Sequence, residues 1–153
     1  MARAELTYPP GRYPTTDKRD LLILCGPTLR IDIGLDRNYD STVPEIVPRL
    51  ALRQAQALVD TGSTCSYIDS SVARRLGLPE IDKEAVATAL GGRQTVTTYM
   101  AQVHVPALAV TLIGPFGGLD LAPLDVVAVL GREFLMHWKM SYDGTSGVVI
   151  IES

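Results

Sequence analysis

Only two cysteines, Cys25 and Cys65, stand in the 153 residues, so no disulfide framework organises this chain. The two histidines, His104 and His137, lie far apart with no paired ligand spacing, so neither a metal site nor a cofactor is expected. Lys and Arg total 14 against 17 Asp and Glu, and no basic cluster appears. Nucleic acid and anionic membrane surfaces are therefore poor partners on electrostatic grounds. No apolar run approaches the roughly 18 to 20 residues of a membrane span. The first apolar run, Leu21 to Cys25, comes too late and is too short for a secretory leader, and a reducing cytoplasm is the expected compartment. A Gly-x-Ser-x-Gly elbow and the phosphate-loop glycine patterns are also missing, which leaves serine-hydrolase and nucleotide chemistry without support.

What is present is apolar content of 46% with 20% charged residues, the balance of one globular domain with a substantial core. Thirteen Gly and ten Pro imply many turns, which suits an all-β fold. Met1 to Asp20 carries Tyr8-Pro9-Pro10-Gly11 and Tyr13-Pro14, and reads as an extended or disordered arm ahead of a domain over 21–153. It is either a tail or a segment laid on a partner. Leu21 to Cys25 reads as a short buried strand stopped by Gly26-Pro27. Leu29 to Leu35 alternates apolar and polar at period 2, the pattern of a half-buried strand. Arg37 to Pro48 reads as an exposed loop, and Gln54 to Val59 as the next strand. Ser70 to Leu76 reads as a short helix capped by Asp69 or Ser70 and ended by Gly77 and Pro79.

Ala85 to Leu90 and Thr95 to Val105 form a predicted hairpin around Gly91-Gly92, residues that supply positive φ at a tight tip. Leu108 to Ile113 is a predicted strand, Gly114 to Gly118 a loop, and Leu124 to Leu130 a strand buried on both faces. One or two helical turns are expected over Gly131 to His137. Trp138 to Tyr142 and Val148 to Ile151 then pair across Asp143 to Gly147.

The chemistry centres on Ala57-Leu58-Val59-Asp60-Thr61-Gly62-Ser63-Thr64, an apolar strand delivering an aspartate to a small turn. Taken alone, Asp60 could simply cap its own turn. A second apolar strand ending in glycine, Val126 to Gly131 followed by Arg132, gives it a context. A lone carboxylate is a poor hydrolase, because acid–base catalysis needs a protonated and an ionised group at one atom. The chain holds a single Asp-Thr-Gly, so a second carboxylate must come from a second copy, and a two-fold axis between the loops supplies it.

Ala57 to Ser63, the glycine-tipped hairpin, and Val129-Leu130-Gly131-Arg132-Glu133-Phe134-Leu135, in that order, resemble the retropepsin family of aspartic proteases, especially its bacterial members. Ile68-Asp69 and Ser141 to Gly144 add to the likeness, which covers roughly Leu29 to Glu152. The resemblance implies a closed, barrel-like all-β lobe with a flap hairpin and one or two short helices. It implies a homodimeric endopeptidase without cofactor, acting on a peptide or protein substrate.

Asp60 would be the catalytic carboxylate, Thr61 the residue locking the two loops together, and Gly62 the point of substrate approach. Ser63 and the hairpin tip Leu90, Gly91 and Gly92 would face substrate, with the hairpin as a closing flap; an ordinary hairpin turn is the equal alternative. Val129, Leu130, Gly131 and Arg132 would support the catalytic loop. Val148 to Ile151 would pair with its mate across the dimer. Where retroviral relatives usually carry Ala, this chain has Ser63, and a hydroxyl donated to Asp60 would favour the ionised form and weight activity toward acidic pH. The retroviral acidic partner of the arginine is replaced by Thr64 and Cys65, leaving Arg132 without an assigned partner. Arg37 to Pro48 is an added segment with the cleft as one place it could line. An apolar cleft implies hydrophobic residues flanking the cut. Two other readings stand beside this one: a retropepsin-fold dimerisation or peptide-binding module without catalysis, and a monomeric β-barrel binding domain.

Overall fold

The computed structural model describes all 153 residues, folded as ten strands, three short α-helices and two 3-10 turns. Six strands close on one another. In ring order they are β2 (Thr28–Gly34), β3 (Leu52–Val59), β8 (Ala128–Leu130), β4 (Tyr67–Asp69), β7 (Val110–Leu119) and β6 (Arg93–Val105), which pairs back onto β2 through Asp32↔His104. Closure leaves no open edge within the ring, and the interior is filled by Ile31, Ile33, Ala57, Ile68, Ala101, Val103, Ala128 and Leu130, all fully buried. The fold is an all-β, closed barrel-like lobe with a projecting hairpin and few short helices, as the sequence implied.

The predicted strands at β2, β3 and β6 are observed, although β2 is buried at every residue but Arg30 rather than half-buried. On β3, Ala55, Ala57 and Val59 point inward while Leu58 packs on the outer side with Leu121, Val126 and Val129. The 13 residues of β6 serve two structures: its first half pairs with β5 (Glu80–Ala87) as a hairpin projecting beyond the barrel, and its second half pairs with β7 inside it. The burial of β6 changes accordingly, from exposed at Arg93 to fully buried at Val103.

A second sheet of three strands, β1 (Arg3–Glu5), β10 (Val148–Glu152) and β9 (Lys139–Asp143), lies outside the ring. The predicted closing hairpin is its β9–β10 pair. Of the two forms expected for the N-terminal arm, the structure has the extended one: Ala4 and Leu6 are buried in the main core, Leu6 N–H donates to the Val149 carbonyl at 2.8 Å, and Thr7 bridges to Thr28. Apolar side chains at Ala4 and Leu6 hold the arm down. Because β1 and β9 occupy both edges of β10, the expected pairing of Val148 to Ile151 with a second chain is not available in this arrangement.

Three further expectations need correction. Leu21 to Cys25 belongs to helix α1 (Lys18–Cys25), not a strand. Asp17 caps it by accepting from Arg19 and Asp20 N–H, and only Leu22 is buried. Gly114 to Gly118 is strand rather than loop, since β7 runs unbroken and Gly117 and Gly118 pair with Tyr67 and Ile68. A Cβ at Gly118 would lie 2.9 Å from the Tyr99 ring, so a small residue is required in the strand. Finally, β8 holds only Ala128–Leu130, because Pro123 lies in a 3-10 turn and Asp125 has φ +55°, which breaks the apolar run upstream.

Candidate active site

The loop that carries Asp60 begins where β3 leaves the barrel. Strand β8 lies between β3, parallel to it through Leu58↔Val129, and β4, antiparallel to it through Tyr67↔Val129. The chain therefore leaves β3, loops through residues 60–66, and returns on the far side of β8. Backbone bonds tie this loop to the end of β8: Asp60 N–H donates to Leu130 at 3.0 Å, Arg132 N–H to Ser63 at 2.9 Å, and Glu133 N–H to Thr64 at 3.2 Å. Helix α3 (Arg132–Leu135) starts at this point.

Side chains complete the clamp. Gly131 N–H donates to Ser66 Oγ at 3.0 Å, and Ser66 N–H donates to Glu133 Oε1 at 2.8 Å. Arg132 now has its partners, since its guanidinium donates to the Thr61 carbonyl and to Thr64 Oγ1, each at 2.8 Å. Gly131 is compelled by proximity, because a Cβ there would stand 2.2 Å from the Cys65 carbonyl oxygen and 3.0 Å from that of Ser63. Val129 and Leu130 are buried behind the loop.

Asp60 is half-buried at the mouth of a cleft of about 680 Å³. One oxygen accepts from Gly62 N–H at 2.8 Å, which orients the carboxylate, and Thr61 is exposed beside it. Ser63 does not serve Asp60 as expected. Its hydroxyl donates to the Cys65 carbonyl at 2.7 Å, a partner brought within reach by the tight turn through residues 63–65. The acidic-pH expectation built on Ser63 thus has no hydrogen bond behind it.

The opposite wall is the hairpin, through Glu84 to Ala89 on one arm and Gln94 and Val96 on the other. Its tip is closed by Thr88: Thr88 N–H donates to Gly92 at 2.8 Å, Gly91 N–H donates to Thr88 at 3.0 Å, and Gly91 takes φ +83°. Leu90 is 98% exposed and stands clear of the cleft wall with Gly91 and Gly92. No residue of Arg37 to Pro48 lines the cleft. Ser66, Glu84, Thr88 and Glu133 were given no role from the sequence. Glu84 had a signal, since hairpin register puts it on the face of Val96. Ser66 had none.

Cys65 is exposed beside the loop, yet its thiol pKa is raised, first by desolvation and then by the negative charges of Glu133 and Glu84, so it stays a protonated thiol. No group of His, Cys, Asp and Glu side chains is arranged to hold a metal.

The sequence profile described as aspartyl protease matches residues 52–132, just over half of the chain, from the start of β3 to the first residue of α3. The chain belongs to the aspartyl protease family. A retropepsin-like aspartic protease from Rickettsia conorii shares the fold, with a TM-score of 0.53 and 12% identity over 97% of this chain and 89% of that one. The EIAV protease, solved with an inhibitor, aligns with a TM-score of 0.45 at 16% identity, over 72% of this chain and 86% of its own. No curated protein sequence matches the chain. The family match spans β3, the Asp60 loop, the hairpin and β8, the elements that assemble the cleft around Asp60.

Proposed function

We propose that this chain is an aspartic endopeptidase that works as a homodimer, with one active site shared by two copies of Asp60. The observation that carries the reading is a catalytic loop held by β8 and Arg132, presenting one carboxylate to an open cleft. A single Asp60 has no acidic neighbour in that cleft except Glu84, which belongs to the hairpin wall. A two-fold axis beside the exposed Thr61 supplies the missing group.

Two such carboxylates a few ångströms apart share one proton and titrate as a pair. The ionised member takes a proton from water as its oxygen attacks the peptide carbonyl, while the protonated member donates to the carbonyl oxygen. The resulting diol collapses as the newly protonated carboxyl gives its proton to the departing amine and the other carboxylate takes one from a diol hydroxyl, which restores the pair. The hairpin closes over the peptide and excludes water from the reacting atoms. The outer edges of β1 and β9 are unpaired and offer surfaces to the second copy alongside the loops.

The test is incubation with a diverse peptide pool at several pH values, wild type beside Asp60→Ala. Internal peptide cleavage that disappears in the variant supports the proposal. Peptide binding without cleavage in either protein would instead assign a non-catalytic binding module.

A further inference from the structure

Hairpin register pairs Glu84 with Val96 and Val86 with Gln94, and strand alternation turns these four side chains toward the catalytic loop. Beside the main cleft lies a smaller cavity of about 260 Å³, and Cys65, Tyr67, Glu84, Val86 and Val96 line both spaces. One part of its wall is apolar, from Val86, Val96, Pro115 and the Tyr67 ring. Two carboxylates line it from opposite elements, Glu84 from β5 and Glu133 from α3.

Neither carboxylate has a cation. The five ion pairs of the chain all lie elsewhere, and Glu133 uses only Oε1, toward Ser66 N–H. Both residues are solvent-exposed. Their charges converge, because after desolvation the same two glutamates raise the Cys65 thiol, and they also contribute to raising the Tyr67 phenol. A cavity with apolar sides and two unpaired carboxylates complements a side chain with an aliphatic stem and a cationic head.

We infer that this cavity is a substrate side-chain subsite for lysine or arginine, the stem lying against Val86, Val96 and Tyr67 and the head between Glu84 and Glu133. The inference rests on the peptidase reading for its place in a substrate cleft and adds one basic position to the otherwise hydrophobic preference expected. Glu84 and Glu133 are specificity residues in this account and take no part in proton transfer.

The experiment uses an apolar host octapeptide carrying lysine or norleucine at each position in turn, with reduced-amide copies that cannot be cut. Cleavage is measured with wild type, Glu84→Gln and Asp60→Ala, and binding of the reduced-amide pair with wild type and Glu84→Gln. Thermal unfolding confirms that Glu84→Gln is folded. At one position, wild type should favour lysine over norleucine by roughly tenfold or more in kcat/KM and in affinity, as a hydrogen-bonded charge pair allows. Glu84→Gln should bring that ratio toward one. Cleavage lost in Asp60→Ala with no lysine preference at any position, or a preference that survives Glu84→Gln, overturns the subsite and leaves the peptidase reading standing. Absence of cleavage with a Glu84-dependent lysine preference in binding overturns the peptidase reading and keeps the subsite. Failure of both peptides to bind overturns the subsite.

Discussion

The Arg132 guanidinium stands 2.8 Å from the Thr61 carbonyl and, through its other terminal nitrogen, 2.8 Å from Thr64 Oγ1. One side chain from the start of α3 therefore spans the loop that carries Asp60, holding a residue next to the carboxylate and another three positions further on. A carbonyl and a hydroxyl take the place of the acidic partner that the resemblance to retroviral relatives implied.

A planar fork makes both contacts at once, and an ammonium cannot reproduce that geometry. Arg132→Lys should lower kcat by roughly tenfold while costing only about 1 kcal/mol in stability, since the side chain is exposed and each hydrogen bond is worth little net. Kinetics on a cleaved peptide, paired with urea unfolding, separate the two effects. Wild-type kcat in the lysine variant would show that the loop keeps its shape without the fork.

Gly131 faces a different constraint. A methyl group at this position would penetrate the Cys65 carbonyl, so Gly131→Ala must push the Asp60 loop off β8 or shift α3. Overpacking of this kind costs about 1–3 kcal/mol or more, because the obstacle is backbone rather than a flexible side chain. A lowered unfolding midpoint together with lost cleavage is the expected result, read by thermal denaturation and peptide assay.

Ser63 offers a test of electrostatics. Its hydroxyl is committed to the Cys65 carbonyl at 2.7 Å and not to Asp60. Ser63→Ala should leave the pH dependence of kcat/KM unchanged and cost about 1 kcal/mol of stability through the lost bond. A displaced acidic limb in the pH–rate profile would mean that the hydroxyl serves the carboxylates after all.

Asp69 sets an acid limit on the fold. Burial alone would raise this carboxyl, but hydrogen bonds from the Ser71 hydroxyl and from Leu121, Val72 and Ser71 N–H outweigh it and hold the pKa below the ordinary 3.8. A depressed native value means that the stabilisation is complete above the unfolded value and disappears as pH falls from about 3.8 through the lower native one. Asp69→Asn should lower stability at neutral pH by about 1–2 kcal/mol, since an amide donor would oppose Leu121 N–H. It should also flatten the stability loss in that acidic window, measured by urea unfolding across pH. An equally steep acid loss in the variant would assign the dependence to another group.

Much of this arrangement was legible in the residues. Period-2 alternation marked β2, the apolar run ahead of Asp60 marked β3, Gly91-Gly92 marked the hairpin that holds β6, and Asp-Thr-Gly with an apolar strand ending in Gly131 marked the loop and its support. The misses have physical causes. Five apolar residues at Leu21 to Cys25 cannot distinguish strand from helix by periodicity, and the Asp17 cap decided the matter. Glycines at 117 and 118 resemble a loop until the Tyr67 and Tyr99 rings that need the space are in place. The direction of the Ser63 hydroxyl depends on a turn whose shape only the folded loop fixes. The arm at Ala4 and Leu6 was hidden by the prolines that follow it.

The central claim is that one site needs two chains. Mixing wild type with Asp60→Asn at constant total concentration, with subunits allowed to exchange, tests it directly. If both carboxylates are required and subunits pair at random, an equal mixture should retain about a quarter of the wild-type activity. A value of about half, linear in the wild-type fraction, would mean that each chain carries its own complete site and would contradict the account.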